Sequence, residues 1–313
     1  MEPTVHHQLD SRASSLMVLL CFIWASAQII LKYTAVDMVP VLQIAIRSAG
    51  GALLTACFVW ARGQRLFNLP GAWKPGIVVG FLFASEFYLV GESLRYTSAS
   101  HTTIFLYSAP IFAALGLNFF TPGERLSPLQ WVGVVLAFIG IVISFMGADS
   151  SQNTTHSPNI VLGDGLALLA GALWGATTVV VRSSQLKYAL ATETLFYQLV
   201  GAAVLLWVGS LFMGYGAIHW SRSLLWGLAA QIVLVSFVSF LVWFWLLRHY
   251  LASRLGVLSF MTPLFGVILG VLLLGERLEQ NFIVGAVCVI LGIILVNGHD
   301  KLSRLKGSKR SAS

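Results

Sequence analysis

Apolar runs of helix-spanning length, separated by short polar turns, fill almost the whole chain. A membrane-spanning helix needs about 20 mostly apolar residues. Ten segments meet that pattern, at roughly 15–34, 39–61, 74–94, 99–120, 127–147, 162–183, 193–214, 223–247, 252–274 and 280–297. The longest connection, Ala148 to Leu162, is rich in Ser, Asn and Thr and falls at the midpoint. The pattern predicts an all-α membrane protein of ten transmembrane helices in two halves of five.

The two halves resemble each other in sequence. Gly123-Glu124-Arg125-Leu126 recurs as Gly275-Glu276-Arg277-Leu278, and Val132-Gly133 as Val284-Gly285, a spacing of 152 residues. Trp24-Ala25-Ser26 is matched by Trp174-Gly175-Ala176, and Lys32 by Arg182. The predicted division is a first five-helix repeat at 15–147, an external linker at 148–161, a second five-helix repeat at 162–297 and a basic cytoplasmic tail at 298–313. Five is odd, so the second repeat must enter the membrane from the opposite side. Inverted-topology repeats of this kind are typical of secondary transporters.

Basic residues set the expected orientation. With the N-terminus inside, fourteen Lys and Arg face the cytoplasm and four (Lys32, Arg95, Arg222, Arg277) face outward, with Arg47 inside a helix. Positive charge collects on the cytoplasmic side of membrane proteins, so both termini are expected there, in a multi-pass protein of the inner or plasma membrane. Ala25-Ser26-Ala27 after an apolar run resembles a signal-peptidase site. The matching helix around Trp174 lies where no cleavage could occur, so the first run reads as an uncleaved span.

Composition narrows the function classes. The chain is 57% hydrophobic and 10% charged, with mean hydropathy +0.83, against about 25% charged residues in soluble domains. The net charge of +7 does not imply nucleic acid, because the basic residues lie in short loops and in the tail Lys301, Arg304, Lys306, Lys309 and Arg310, where anionic lipid would meet them. Cys21, Cys57 and Cys288 lie in apolar runs and suggest neither a disulfide framework nor a metal site. The histidines form no metal set with helical spacing. No phosphate-binding loop is present, so ATP is not the direct drive. Asn153-Thr154-Thr155 is a glycosylation triplet of a kind that often arises by chance. No catalytic residue, metal or cofactor is expected.

Several motifs together resemble the drug/metabolite transporter superfamily, specifically its EamA-type members. They are Trp24 with Lys32, Arg47, Leu94-Arg95-Tyr96-Thr97-Ser98-Ala99, Pro110, Trp174, Pro263 and the two Gly-Glu-Arg-Leu turns. The resemblance runs from about residue 15 to 297. It implies ten helices, a central cavity between the halves, and alternating-access movement of small metabolites, often as export. His101 stands where such proteins more often carry a small apolar residue, a departure that makes it a candidate substrate-binding residue bearing on specificity.

Ionisable groups inside a membrane are costly and therefore candidates for function. Arg47 and Glu86 lie at similar depth. They either form a structural ion pair or face the cavity, where a zwitterion would offer a carboxylate to Arg47 and an ammonium to Glu86. Glu92 reads as interfacial. His101 is either a satisfied interfacial histidine or, since imidazole titrates near neutral pH, a proton-coupling group. Lys32 and Arg182 either snorkel to the interface or gate the two cavity mouths.

Trp24 and Trp174 lie near mid-helix, where an indole N–H needs a partner. Cavity lining is the alternative to packing for both, and for Phe87, Tyr88, Tyr107 and Tyr197. Gln28 shares a helix face with Trp24. Gln28, Gln198 and Gln231 suit hydrogen bonding between helices. Pro110 and Pro263 each remove a backbone hydrogen bond and are candidate hinges. Gly80, Gly133, Gly140, Gly266, Gly270, Gly285 and Gly292 are assigned to close helix packing. Gly123 and Gly275 fit left-handed caps, with Glu124 and Glu276 placed to favour the dipoles of the helices that follow.

The expected function is a secondary transporter exporting small metabolites, amino acids or related zwitterions foremost. The alternatives are a cationic drug or amine extruder and, from another class, an intramembrane enzyme. The expected partners are a small-molecule substrate and the lipid bilayer, with proton coupling as an option and a monomer or homodimer as the working unit.

Overall fold

The computed structural model describes residues 11–67, 69–120, 126–146, 159–249, 258–259, 261–292 and 294–295. The Gly123-Glu124-Arg125 turn, nearly all of the linker with its Asn153 triplet, His6, His7 and the basic tail lie outside the described residues. Among the described residues every regular element is helical.

The first half carries α1 (Ser11–Tyr33), α2 (Pro40–Ala61), α3 (Trp73–Tyr96), α4 (Ala99–Leu106), α5 (Ala109–Phe120) and α6 (Pro128–Met146). The second carries α7 (Ile160–Ser183), α8 (Ala191–Phe212), α9 (Arg222–Ala230), a π-helical stretch at Gln231–Ser239, α10 (Phe240–His249), α11 (Met261–Leu274) and α12 (Gln280–Gly292). Among the described residues seven helical segments, Ala99–Phe120 among them, are long and apolar enough to cross a membrane, and Pro128–Ile143, Met261–Leu274 and Gln280–Gly292 are shorter apolar helices. The protein is thus a multi-pass membrane protein.

Local chemistry sets several boundaries. Pro40 opens α2, a position where its missing N–H costs nothing. Ser98, Asn159 and Ser221 cap α4, α7 and α9 by accepting from the backbone N–H three residues on. Apolar residues 99–120, expected as one helix, form α4 and α5 with a break at Tyr107 and Ser108. Pro110 lies in the first turn of α5, where the ring is tolerated, and the freed backbone is turned into the break. Pro263 lies likewise in the first turn of α11. Both halves repeat one local design: α1 runs through a 3₁₀ turn (Thr34–Val36) into α2, and α7 runs through another (Gln185–Tyr188) into α8.

Packing crosses between the halves. α2 lies along α8, α3 along α7 and α8, α5 along α7, and α1 and α4 along α11. Small residues permit the closest approaches. A Cβ on Gly201 would stand 2.6 Å from the carbonyl oxygen of Gly80, one on Gly140 2.6 Å from that of Gly285, and one on Gly292 2.5 Å from that of Gly133. Without a hydrophobic force between helices in lipid, such backbone proximity supplies the dispersion contact that holds them. Large apolar side chains such as Leu53, Phe120, Val142, Phe212 and Trp226 are exposed, as a lipid-facing surface requires.

Candidate functional site

Helices of both halves bring polar groups into the apolar interior. Arg47 of α2, buried, donates from Nη1 to Oε1 of Gln231 at 2.7 Å. Its guanidinium carbon lies 4.7 Å from the centroid of the Phe87 ring. Gln231 opens the π-helical stretch and donates from Nε2 to the Ala27 carbonyl at 3.1 Å. One glutamine thereby ties α2 to α1. π-helical turns leave backbone groups out of the regular ladder and are frequent at functional positions.

Glu86 of α3 is 3% exposed, and its Oε2 has no hydrogen-bond partner among the described residues. It lies within electrostatic reach of Arg47, yet the two form no direct ion pair. The structural pair considered from the sequence is therefore replaced by Arg47–Gln231, with Phe87 beneath. Removing a buried carboxylate from water costs several kcal/mol unless it is compensated, on the order of the buried-ion penalty.

Aromatic side chains surround this centre. Tyr107, at the α4–α5 break, meets Trp174 of α7 edge to face, ring centroids 5.2 Å apart. Thr262 of α11, Cys21 and Glu86 lie near the Tyr107 hydroxyl. Trp24 donates from Nε1 to the Ser239 hydroxyl at 2.9 Å and packs against Trp243 at 5.6 Å. Gln28, one turn after Trp24, is buried with Oε1 unpartnered among the described residues.

A second polar group gathers where α1, α3, α4, α7 and the α11–α12 turn meet. Lys32 donates to the carbonyls of Leu94 at 2.5 Å and Thr97 at 2.7 Å, closing the end of α3. It turns inward, so it does not snorkel. Glu276 accepts from the backbone N–H of Ala99 at 2.7 Å and of Ser100 at 3.0 Å, and from the Ser100 hydroxyl at 2.5 Å. It caps α4 of the other half rather than favouring the helix that follows it. Gly275, before it, has φ +65°, the left-handed conformation expected of a capping glycine.

His101 is buried in this group. Its Nδ1 lies 2.8 Å from Oδ2 and 3.0 Å from Oδ1 of Asp164, and its ring stacks on Phe282 at 3.7 Å. Thr97 donates its hydroxyl to the same carboxylate at 2.7 Å. Asp164 was missed from the sequence, although an acid between Gly163 and Gly165 inside an apolar run meets the same rule that picked out Glu86. Ser239 carried no such signal, because a lone hydroxyl in a helix ordinarily bonds its own backbone.

Three other candidates, Tyr88, Tyr197 and Arg182, lie apart from the centre. Tyr88 is near Glu92, Arg95 and Tyr96, beside a cluster in which Arg95 donates to Glu92 at 2.7 Å and Tyr215 to Glu92 at 3.0 Å. Tyr215, in the loop after α8, has its hydroxyl pKa raised by burial, with the Glu92 hydrogen bond and charge adding to it. Tyr197 packs on Phe67 and over Gly76 at the far end of α3. Arg182 is exposed at the end of α7. Among the described residues no group of three His, Cys, Asp or Glu is disposed to hold a metal ion.

A family model described as the EamA-like transporter family matches residues 11–146 and again 161–298. The uncharacterized transporter YoaV of Bacillus subtilis is 21% identical over 274 residues, covering 87% of this chain and 92% of its own. An uncharacterized transporter of Archaeoglobus fulgidus is 26% identical, covering 92% and 98%. A protein of Escherichia coli named "Probable amino-acid metabolite efflux pump" is 24% identical, covering 90% and 93%. One solved crystal structure shares the fold with TM-score 0.63 at 19% identity, covering 91% of this chain and 95% of that one.

Proposed function

Because the chain belongs to the EamA-like transporter family, we propose that it is a ten-span secondary transporter of the cell membrane that exports small zwitterionic metabolites, amino acids foremost. In this reading both termini are cytoplasmic, the two five-helix repeats have opposite orientation, and alternating access works around the centre at Arg47 and Glu86. The basic tail then faces anionic lipid, and the working unit is a monomer or homodimer.

The observation that carries the substrate class is Glu86, a buried carboxylate with one oxygen unpartnered. A substrate ammonium supplies the missing donor and the compensating charge. Arg47 keeps donors beyond the one given to Gln231, since a guanidinium has five, and these can meet a carboxylate. Trp24, Gln28, Tyr107 and Trp174 supply the walls around it, while Tyr88 and Tyr197 fall outside this reading. The E. coli relative's name supports the same class.

A second reading is favoured by the Arg47 contacts. Gln231 and Phe87 already engage the guanidinium, so the ligand could be a cationic amine held by Glu86 alone. Flux of labelled amino acids and of labelled amines, measured with the purified protein in lipid vesicles, separates the two. Zwitterion export predicts loss of amino-acid flux in both Glu86→Gln and Arg47→Ala. Amine export predicts loss in Glu86→Gln only. Absence of flux across both panels overturns the transport reading and returns the enzyme alternative to contention.

A further inference from the structure

We propose that Thr262, with Glu86 and Tyr107, forms a receptor for a primary ammonium group, so that the centre takes –NH3+ and rejects N-methylated forms of the same solute. The proposal rests on the reading that Glu86 holds the cationic end of the substrate. It adds a specificity residue and fixes how many donors the substrate must bring.

Thr262 stands in the first turn of α11, fully buried, and its Oγ1 has no hydrogen-bond partner among the described residues. A Ser or Thr hydroxyl inside a helix commonly bonds the carbonyl four residues back. Thr55, Thr103, Thr177 and Ser239 do so here, at 2.5 to 3.0 Å. For Thr262 that carbonyl belongs to Leu258, and it accepts from the Cys21 thiol at 3.4 Å instead. The local contact is not made, and the hydroxyl is left buried without a partner. The repeat sharpens the point. Ala109-Pro110 in the first half answers to Thr262-Pro263 in the second, so packing ahead of the proline is served by a methyl group alone.

The neighbours of this hydroxyl define its use. The Tyr107 hydroxyl lies beside Thr262, with Cys21 and Glu86 close to both. Glu86 is buried, and its Oε2 is likewise unpartnered among the described residues. Two oxygens lacking donors thus border the Tyr107 hydroxyl, which can itself accept. They are delivered by α3, by the α4–α5 break and by α11. The first two belong to the first half and the last to the second, as a site for alternating access requires.

A primary ammonium carries a positive charge and three N–H donors. It gives one donor to Oε2 of Glu86, one to Oγ1 of Thr262 and one to the Tyr107 hydroxyl, and its charge offsets the carboxylate. Each N-methyl group replaces a donor and seals one of these oxygens behind an apolar partner. The aromatic rings do not make this distinction. Tyr107 with Trp174, and Phe87, attract any cation through their faces, a trimethylammonium included. The oxygens decide, because a site built for hydrogen bonds loses most when its buried groups are left unpaired.

The test uses the purified full chain in detergent. It reads the thermal unfolding midpoint against probe concentration, since a ligand of the folded state stabilises it by mass action. The probes are L-leucine with its N,N,N-trimethyl betaine, and butylamine with butyltrimethylammonium, which cover the zwitterion and amine readings. In the parent chain a primary probe should stabilise. Its trimethyl counterpart should bind at least about tenfold more weakly, as loss of a hydrogen bond to a charged group implies. Thr262→Val should weaken the primary probe on the order of 10- to 100-fold for the same reason and leave its trimethyl counterpart unchanged. Without probe, Thr262→Val should unfold no lower than the parent, because it removes an unmet buried hydroxyl. Thr262→Ser should restore the preference. Equal affinity for primary and trimethyl probes, or a primary affinity unchanged in Thr262→Val, overturns the receptor. Glu86→Gln then shows what else falls: loss of binding there keeps the cation reading, and retention ends it. A lowered probe-free midpoint in Thr262→Val also overturns the receptor, since the hydroxyl then serves the fold. If neither primary probe stabilises the parent, the receptor falls together with the reading it rests on.

Discussion

Nη1 of Arg47 in the first half donates to Oε1 of Gln231 in the second at 2.7 Å, with both side chains buried. This bond, rather than an ion pair with Glu86, holds the guanidinium in place. Replacing Gln231 with Leu removes the acceptor and leaves a buried charge under-satisfied. The expected loss is about 1–3 kcal/mol, the cost of orphaning a buried polar group. Thermal unfolding in detergent measures it, and an unchanged midpoint would show that another group takes over.

Trp24 and Ser239 make a simpler pair, because the indole N–H meets one hydroxyl at 2.9 Å. Trp24→Phe and Ser239→Ala should each destabilise by roughly 0.6–2 kcal/mol, the range for hydrogen bonds between membrane helices. The double variant should cost less than the two singles together, since both remove one interaction. Strict additivity in a double-mutant cycle would count against the bond.

Glu276 caps a helix of the opposite repeat. Glu276→Ala should therefore destabilise by about 0.5–2 kcal/mol, as loss of an N-terminal cap does. Glu276→Gln keeps one acceptor oxygen and should fall between parent and alanine. Amide hydrogen exchange at Ala99 and Ser100 should rise in the same order, and protection left intact in the alanine variant would show that the cap is dispensable.

Gly201 meets the Gly80 backbone, and a Cβ there would stand 2.6 Å from a carbonyl oxygen that cannot rotate away. Gly201→Ala should push α3 and α8 apart at a cost of about 1–3 kcal/mol, as overpacking does. Gly209 on the same helix has nothing within 4 Å of its added Cβ. Gly209→Ala should be neutral or stabilising by roughly 0.5–1 kcal/mol from helix propensity. Equal unfolding midpoints for the two variants would contradict the packing account.

Much of this was written in the order of residues. Apolar run length alone dictates helices, because only internally hydrogen-bonded backbone survives in hydrocarbon. Recurrence of Gly-Glu-Arg-Leu exposed the duplication, which the family match over 11–146 and 161–298 repeats. Small residues at Gly80, Gly140 and Gly292 foretold close approaches, and burial of Arg47 and Glu86 followed from their place in apolar runs.

Partnership was decided only by the tertiary structure. Arg47 and Glu86 share a depth, yet depth does not state azimuth, and Gln231 on a π-helical stretch arrives first. Glu276 lies beside one helix in sequence and caps another, because the turn after α11 folds over α4. His101 reads as interfacial until α7 delivers Asp164 to it, 63 residues away. Periodicity along a chain specifies which face of a helix is apolar. Only the packing of helices specifies which polar group the opposite face will meet.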